Sequence, residues 1–202
     1  MYGIQDIEMD KLIDTIMEKL LSGGYVREDE ADIVRFGLEL NIMKAIISAA
    51  MLVAAVIFGG AASALVFMAV YPPLRSCCGG YHAKTRIACF ILSMAVMSLV
   101  IAASRFMPAR ASLPAALAMS LTGLLLIILL APVESKNKPF DSVERRVFRR
   151  RSLIAAALSA ALIAVLVILQ ARQLMTGAAM AVFFTGIMLA AGIFSNRKGA
   201  LK

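Results

Sequence analysis

Acidic side chains are almost absent from this 202-residue chain after residue 39. Ten of the thirteen Asp and Glu residues lie in residues 1–39, and the other three are Glu134, Asp141 and Glu144. All other residues are neutral or basic, and the formal net charge of the chain is +8. A basic protein can bind nucleic acid, but these cations lie between apolar runs, where the positive-inside rule of membrane proteins already explains them. We therefore expect no nucleic-acid partner.

Cysteine and histidine are also scarce. The chain has three cysteines, Cys77, Cys78 and Cys89, and a single histidine, His82. An odd number of crowded cysteines does not suggest a disulfide framework, and the adjacent Cys77 and Cys78 do not easily share a tetrahedral zinc site. We expect reduced thiols that face the cytoplasm, no metal and no organic cofactor.

Charge is nearly missing from five long apolar runs. Hydrophobic residues make up 61% of the chain, and the mean hydropathy is +0.84. A bilayer core takes about 20 apolar residues per helix. The sequence therefore predicts an all-α fold, a polytopic transmembrane helical bundle of four to six spans surrounded by membrane lipid. The runs are residues 45–70, 87–103, 113–133, 153–169 and 174–194.

The first run leaves the number of spans open. As one helix, residues 45–71 would be about 40 Å long, too long for one upright span and too short for two complete ones. Gly59 and Gly60 indicate a break, which would make the run a hairpin of two short or partly inserted helices. Thirteen positive charges then fall on one side of the membrane against three on the other, so the first side is predicted to be cytoplasmic. A single span would instead place the N-terminal helices outside.

The N-terminal region, residues 1–41, is predicted to form acidic amphipathic helices. A first helix over residues 4–21 would end at Gly23 and Gly24, and a second would run from about residue 28 to 41. The region opens with acidic residues, so no secretory signal peptide is predicted. We assign residues 42–202 to a transmembrane catalytic domain, with a basic cytoplasmic loop at 134–152.

The residues that could carry chemistry are His82 and Cys89, in the segment RSCCGGYHAKTRIACF at 75–90. A cysteine attacks as its thiolate, which a nearby imidazole or cation favours. On an unbroken helix, residues seven apart stand about 10.5 Å apart along the axis, beyond hydrogen-bond reach. His82 must therefore lie on a loop that folds back toward Cys89.

Local sequence signals predict where that loop begins and ends. Pro72 and Pro73 should end the preceding helix, and Gly79 and Gly80 allow backbone conformations that other residues avoid. Cys89 should then lie in the first turns of the following helix.

Two alternatives stay open at this point. Cys78 lies four residues before His82, which is a contact spacing on a helix, so it is a second candidate nucleophile. A lone histidine at a membrane edge also caps helices or contacts headgroups, and cysteine is a common small filler in spans. A non-enzymatic membrane protein, such as a transporter subunit or assembly factor, is therefore an alternative, although a transporter would more often carry polar residues within its spans.

Two motifs in this order and at this separation resemble the accessory gene regulator B (AgrB) family. The first is Arg75, Gly79-Gly80-Tyr81-His82-Ala83 and Cys89, and the second is APVE at 131–134 followed by NKP at 137–139. The resemblance implies an integral membrane cysteine endopeptidase with a Cys-His dyad, in which His82 is the base and Cys89 the nucleophile. It would remove the C-terminal tail of a quorum-sensing propeptide through a thioester and help to close a thiolactone or lactone ring.

The same resemblance implies the partner, the binding residues and the location. Arg75, Gly80, Lys136 and Lys138 are expected to bind a short signal-peptide precursor with an amphipathic leader and an acidic tail. The protein is expected in the bacterial cell membrane, with its active site facing the cytoplasm. The small-residue runs at 60–66 and 155–165 could pack helices closely, within one chain or in a homodimer.

Overall fold

The computed structural model describes residues 4–81, 85–134 and 141–198, and this part of the chain is helical, as predicted. Six of its helices, α2 to α7, are long and apolar enough to cross a membrane. The all-α polytopic bundle is confirmed, at the upper end of the predicted range of spans. The helices are α1 (Ile4–Ser22), α2 (Ala31–Ile57), α3 (Ala61–Cys78), α4 (Arg86–Phe106), α5 (Ala109–Leu130), α6 (Ser142–Ile168) and α7 (Arg172–Lys198), with a short 3-10 helix at Glu28–Glu30.

The chain forms two compact units, residues 1–49 and residues 50–202. In the first unit, α1 ends at the glycine pair as predicted: the N–H of Gly23 bonds to the carbonyl of Lys19 at 3.0 Å. Arg35 of α2 pairs with Asp14 of α1 at 2.8 Å. The functional boundary that we predict at residue 41 stays a prediction.

The first apolar run is broken at Gly59 and Gly60, so its interpretation as a single helix is wrong. α2 ends at Ile57, Gly59 has a φ of +71°, and α3 begins at Ala61. The two helices are longer than the expected short hairpin because each extends beyond the run. In particular, α2 continues without interruption from residue 31 and includes most of the predicted second acidic helix.

The prediction that Pro72 and Pro73 end a helix is also wrong, because both lie inside α3. A proline removes one helical N–H donor, but its fixed φ suits a helix, and membrane helices tolerate it where neighbouring groups satisfy the freed carbonyls. α3 ends at Cys78, where the N–H of Gly79 bonds to the carbonyl of Arg75 at 2.9 Å. The glycine pair therefore ends this helix.

In the second unit, α7 is the most buried of the six long helices and packs against α3, α4, α5 and α6. Small residues allow this close approach, as is usual where helices pack in lipid. At Gly123 of α5, an added Cβ would lie 2.6 Å from the carbonyl oxygen of Val182, and at Gly186 of α7 it would lie 3.1 Å from Gly123. Helix α7 is thus the centre of the part of the protein that carries both motifs.

Candidate active site

Residues 79–81 leave α3 in a backbone conformation that requires glycine. Gly79 has a φ of +75° and Gly80 a φ of +114°, values that residues with a Cβ rarely adopt. His82 follows directly but lies outside the described residues, as do Lys136 and Lys138. The path of residues 79–81 nevertheless fixes where the segment that bears His82 begins.

The guanidinium of Arg75 holds this turn from the side of α3. It donates to the carbonyl of Gly79 at 3.3 Å and to the carbonyl of Tyr81. Planar guanidinium groups suit this task because their N–H donors diverge in a fixed fork. Arg75 was predicted to bind substrate. In the structure its side chain bonds instead to the backbone that leads to His82.

Helix α7 holds the same turn from the other side. The N–H of Tyr81 donates to the carbonyl of Met188 at 2.8 Å. A Cβ at Gly80 would lie 2.7 Å from that carbonyl oxygen, and a Cβ at Gly192 would lie 2.7 Å from the carbonyl carbon of Gly80. Such separations do not occur between real atoms, so the loop and the helix touch backbone to backbone. Gly80, predicted to bind substrate, has a packing role here.

The second motif, residues 131–134, lies against the end of α3. The N–H of Val133 donates to the carbonyl of Cys78 at 2.9 Å, and Val133 forms a parallel bridge with Gly79. On the other side, the side-chain amide of Asn196 in α7 donates to the carbonyl of Glu134 at 2.9 Å. The two motifs that stand far apart in the sequence are thus brought together by backbone hydrogen bonds.

The first turns of α6 also hold residues 131–134. A capping box of Asp141 and Glu144 begins this helix. Within the helix, Arg149 donates to the carbonyl of Ala131 and Arg145 donates to the carboxylate of Glu134. Both arginines belong to the basic loop predicted at residues 134–152.

Cys89 lies in the first turn of α4, as predicted, and is exposed. Thr85 caps this helix: its hydroxyl accepts a hydrogen bond of 3.2 Å from the N–H of Ala88, and its carbonyl accepts one of 3.1 Å from Cys89. Tyr71 of α3 stacks on Phe67 with ring centroids 4.9 Å apart.

The other two cysteines are less accessible. Cys78 is 0% exposed in the core, and Cys77 is half-buried. The carbonyl of Cys77 accepts a hydrogen bond of 2.9 Å from the hydroxyl of Ser152 in α6, which joins the end of α3 to α6. Cys89 is therefore the most exposed of the three thiols.

An open apolar groove of about 700 Å³ lies between α4 and α7 beside these residues. It extends from Tyr81, which precedes His82, to Leu92, which stands three residues after Cys89 on α4. Its α7 wall includes Met188 and Ala191. The groove therefore lies next to both segments that carry the predicted dyad.

A comparison with protein-family models matches residues 10–189 to accessory gene regulator B. The match covers most of the chain and includes both motifs. The chain belongs to the accessory gene regulator B (AgrB) family. Comparisons with curated proteins and with solved structures gave no match.

Membership of the AgrB family confirms the resemblance seen in the sequence, and it identifies a multi-pass membrane protein that takes part in processing in quorum sensing. The roles predicted for individual residues stay predictions.

Three residues on α7 were missed in the sequence analysis, namely Met188, Gly192 and Asn196. The interactions of Met188 and Gly192 with the loop use backbone atoms, which every residue possesses, so no residue type marks them. Asn196 was the one available signal, because an amide side chain near the end of an apolar helix is expected to find a hydrogen-bond partner.

Proposed function

We propose that this AgrB-family protein is an integral membrane cysteine endopeptidase with a Cys-His dyad. It removes the C-terminal tail of an autoinducing-peptide precursor through a thioester and promotes ring closure to a thiolactone or lactone. The observation that carries this proposal is the arrangement of the two motifs: the turn before His82 is held by Arg75, α7 and residues 131–134, close to the helix that presents Cys89.

The dyad would work by nucleophilic catalysis. His82 accepts the proton of the Cys89 thiol, and the sulfur attacks the scissile carbonyl to form a tetrahedral intermediate. The C–N bond then breaks, and the amine of the tail leaves with the proton from His82. The precursor stays bound to Cys89 as a thioester.

Ring closure would follow by exchange. A thiol or hydroxyl within the precursor attacks the thioester carbonyl, its proton returns to the dyad, and the Cys89 sulfur is released. Water must be kept from the thioester during this time, because hydrolysis would give a linear peptide. The apolar lining of the groove beside Tyr81 and Leu92 favours exclusion of water.

Charge supports a precursor with an acidic tail as the partner. Arg146, Arg150 and Arg151 are exposed on the first turns of α6, and Lys136 and Lys138 belong to the segment just before it. Cations at a membrane surface attract an acidic peptide and orient it before it binds. We assign Lys136 and Lys138 to binding of the tail.

The active site is proposed to face the cytoplasm. With α2 to α7 each crossing the membrane once, the ends of α3 and α5 and the starts of α4 and α6 share one face. That face carries thirteen of the positive charges, and the opposite face carries Arg105, Arg110 and Arg172. The positive-inside rule then makes the first face cytoplasmic.

Mass spectrometry of a candidate acid-tailed precursor, co-produced with the protein, tests the proposal. The wild type should remove the tail, and a thioester adduct should be found on Cys89. Cys89→Ala and His82→Ala should both abolish cleavage. Cys78→Ala is the matched control, because it removes a buried thiol of the same segment, and it should still cleave. Cleavage retained in both dyad variants would instead favour a non-enzymatic membrane protein.

A further inference from the structure

We propose that one stripe of α7, formed by Met188, Gly192 and Asn196, positions both motif segments of the active site. This inference rests on the proposed function. The three residues are spaced four apart, and residues at that spacing share one face of an α-helix. Each of them contacts the backbone of a motif segment, two on one motif and one on the other.

The first two residues of the stripe hold the turn before His82. The carbonyl of Met188 accepts the N–H of Tyr81 at 2.8 Å. One turn later, Gly192 lies beneath the same turn: an added Cβ would be 2.7 Å from the carbonyl carbon of Gly80 and 2.8 Å from the nitrogen of Tyr81. The atoms in the way belong to backbone, which cannot rotate aside as a side chain can.

The third residue holds the second motif. The side-chain amide of Asn196 donates to the carbonyl of Glu134 at 2.9 Å. Glu134 precedes Lys136 by two residues and Lys138 by four. Val133, one residue earlier, is hydrogen-bonded to the end of α3. The position of this segment is therefore set by α7 and α3 together.

The choice of glycine at position 192 supports this role. Glycine inside a helix is less favourable than alanine, because it loses more backbone freedom on folding. Gly192 lies within helix α7 and has no positive φ, so its backbone conformation does not require glycine. The close approach of Gly80 and Tyr81 does require it.

The stripe would affect catalysis through the two segments, so its members are positioning residues. Proton transfer between His82 and Cys89 needs a separation of about 2.6–3.2 Å between heavy atoms. A Cβ at Gly192 must push Gly80 and Tyr81 away from α7, and His82 is the next residue. A displacement of about 1 Å can lower a rate about 100-fold.

Alkylation of Cys89 by iodoacetamide at neutral pH measures this positioning without a precursor. We expect Gly192→Ala to slow alkylation to the level of His82→Ala, and the double variant to be no slower than either single variant. Gly37→Ala is the matched control, since a Cβ at Gly37 meets nothing within 4 Å, and it should react as the wild type does. Wild-type alkylation of a folded Gly192→Ala protein, or additive losses in the double variant, would overturn the role of Gly192.

A second variant tests the other end of the stripe and decides the proposal if Gly192→Ala does not fold. Asn196→Asp replaces the amide donor with an acceptor of the same shape. We expect it to raise the KM for the precursor by about 10-fold, because the segment that Asn196 holds leads to Lys136 and Lys138, which we assign to binding of the tail, with Cys89 alkylation unchanged. Asn41→Asp on the exposed side of α2 is its control. Wild-type cleavage by Asn196→Asp would overturn the role of Asn196.

These outcomes are separable from failure of the proposed function. If Cys89→Ala still cleaves, the dyad is wrong, whatever the α7 variants do. If Cys89→Ala is inactive while Gly192→Ala and Asn196→Asp behave as the wild type, the dyad stands and the stripe is overturned.

Discussion

The backbone N–H of Val133 donates a hydrogen bond of 2.9 Å to the carbonyl of Cys78. This contact joins the APVE segment of the second motif to the last residue of α3, directly before the glycine pair of the first motif. Val133 is also bridged to Gly79. The described parts of the two motifs, far apart along the chain, are therefore neighbours in the fold.

Replacing Gly79 should weaken that structure. The φ of Gly79 is +75° with a ψ of −146°, and a side chain in this region costs on the order of 1–3 kcal/mol. The carbonyl oxygen of Val133 also occupies the place of the new Cβ. We expect Gly79→Ala to lower the midpoint of thermal unfolding in detergent. Gly24→Ala is the control, since its φ is +69° but no atom lies within 4 Å of its Cβ position, and it should lower the midpoint less. Equal shifts in the two variants would contradict the contact with Val133.

Arg75→Lys should reduce turnover and leave affinity for the precursor unchanged. A single ammonium group cannot reproduce the fork that reaches the carbonyls of Gly79 and Tyr81, so the turn before His82 becomes looser. Initial rates over a range of precursor concentrations should show a lower kcat at an unchanged KM. Arg110→Lys, at the start of α5, should alter neither constant. A raised KM at an unchanged kcat would show that Arg75 binds substrate, as the sequence alone predicted.

The arginines of α6 should divide into two groups. Arg146→Gln and Arg150→Gln should each raise the KM for an acid-tailed precursor a few-fold, because exposed ion pairs contribute about 0.2–1 kcal/mol, and the effect should fade in high salt. Arg149 bonds to the carbonyl of Ala131, so Arg149→Gln should instead lower the unfolding midpoint. Kinetics at two salt concentrations, beside thermal unfolding, separate the groups. A salt-independent KM in Arg146→Gln would count against electrostatic binding.

Labelling of single cysteines in intact cells tests the six spans and their orientation. In a background without the native cysteines, Phe58→Cys and Gln170→Cys should react with a membrane-impermeant maleimide, because both lie in connections predicted to be outside. Ser142→Cys, at the start of α6, should react only after the cells are opened. Protection of Phe58→Cys would show that α2 and α3 do not both cross the membrane, and labelling of Ser142→Cys from outside would reverse the orientation.

The sequence predicted the features that depend on residue type and local order. These include the all-α membrane class, the ends of helices at Gly23 and at Gly59–Gly60, and the place of Cys89 in the first turn of α4. In each of these cases a glycine or an apolar run dictates the local structure directly.

The features that could not be predicted from the sequence depend instead on contacts between segments that are distant along the chain. Pro72 and Pro73 normally interrupt helices, yet α3 continues through them to a glycine pair. The hydrogen bonds that seat the active-site turn use the carbonyl of Met188 and the N–H of Val133, groups that any residue could supply. No periodicity in the sequence marks them, because they follow from the path of the chain in space.

The close backbone contact between Gly80 and Gly192 also limits how the protein can be engineered. Glycine-to-alanine replacement is a common way to stabilise a helix, and at Gly37 we expect it to contribute about 1 kcal/mol. At Gly192 the same replacement has no compensating partner, because Gly80 on the other side of the contact has no side-chain atom to remove. A programme of thermostabilising substitutions should therefore treat these two glycines as fixed and begin at the N-terminal unit.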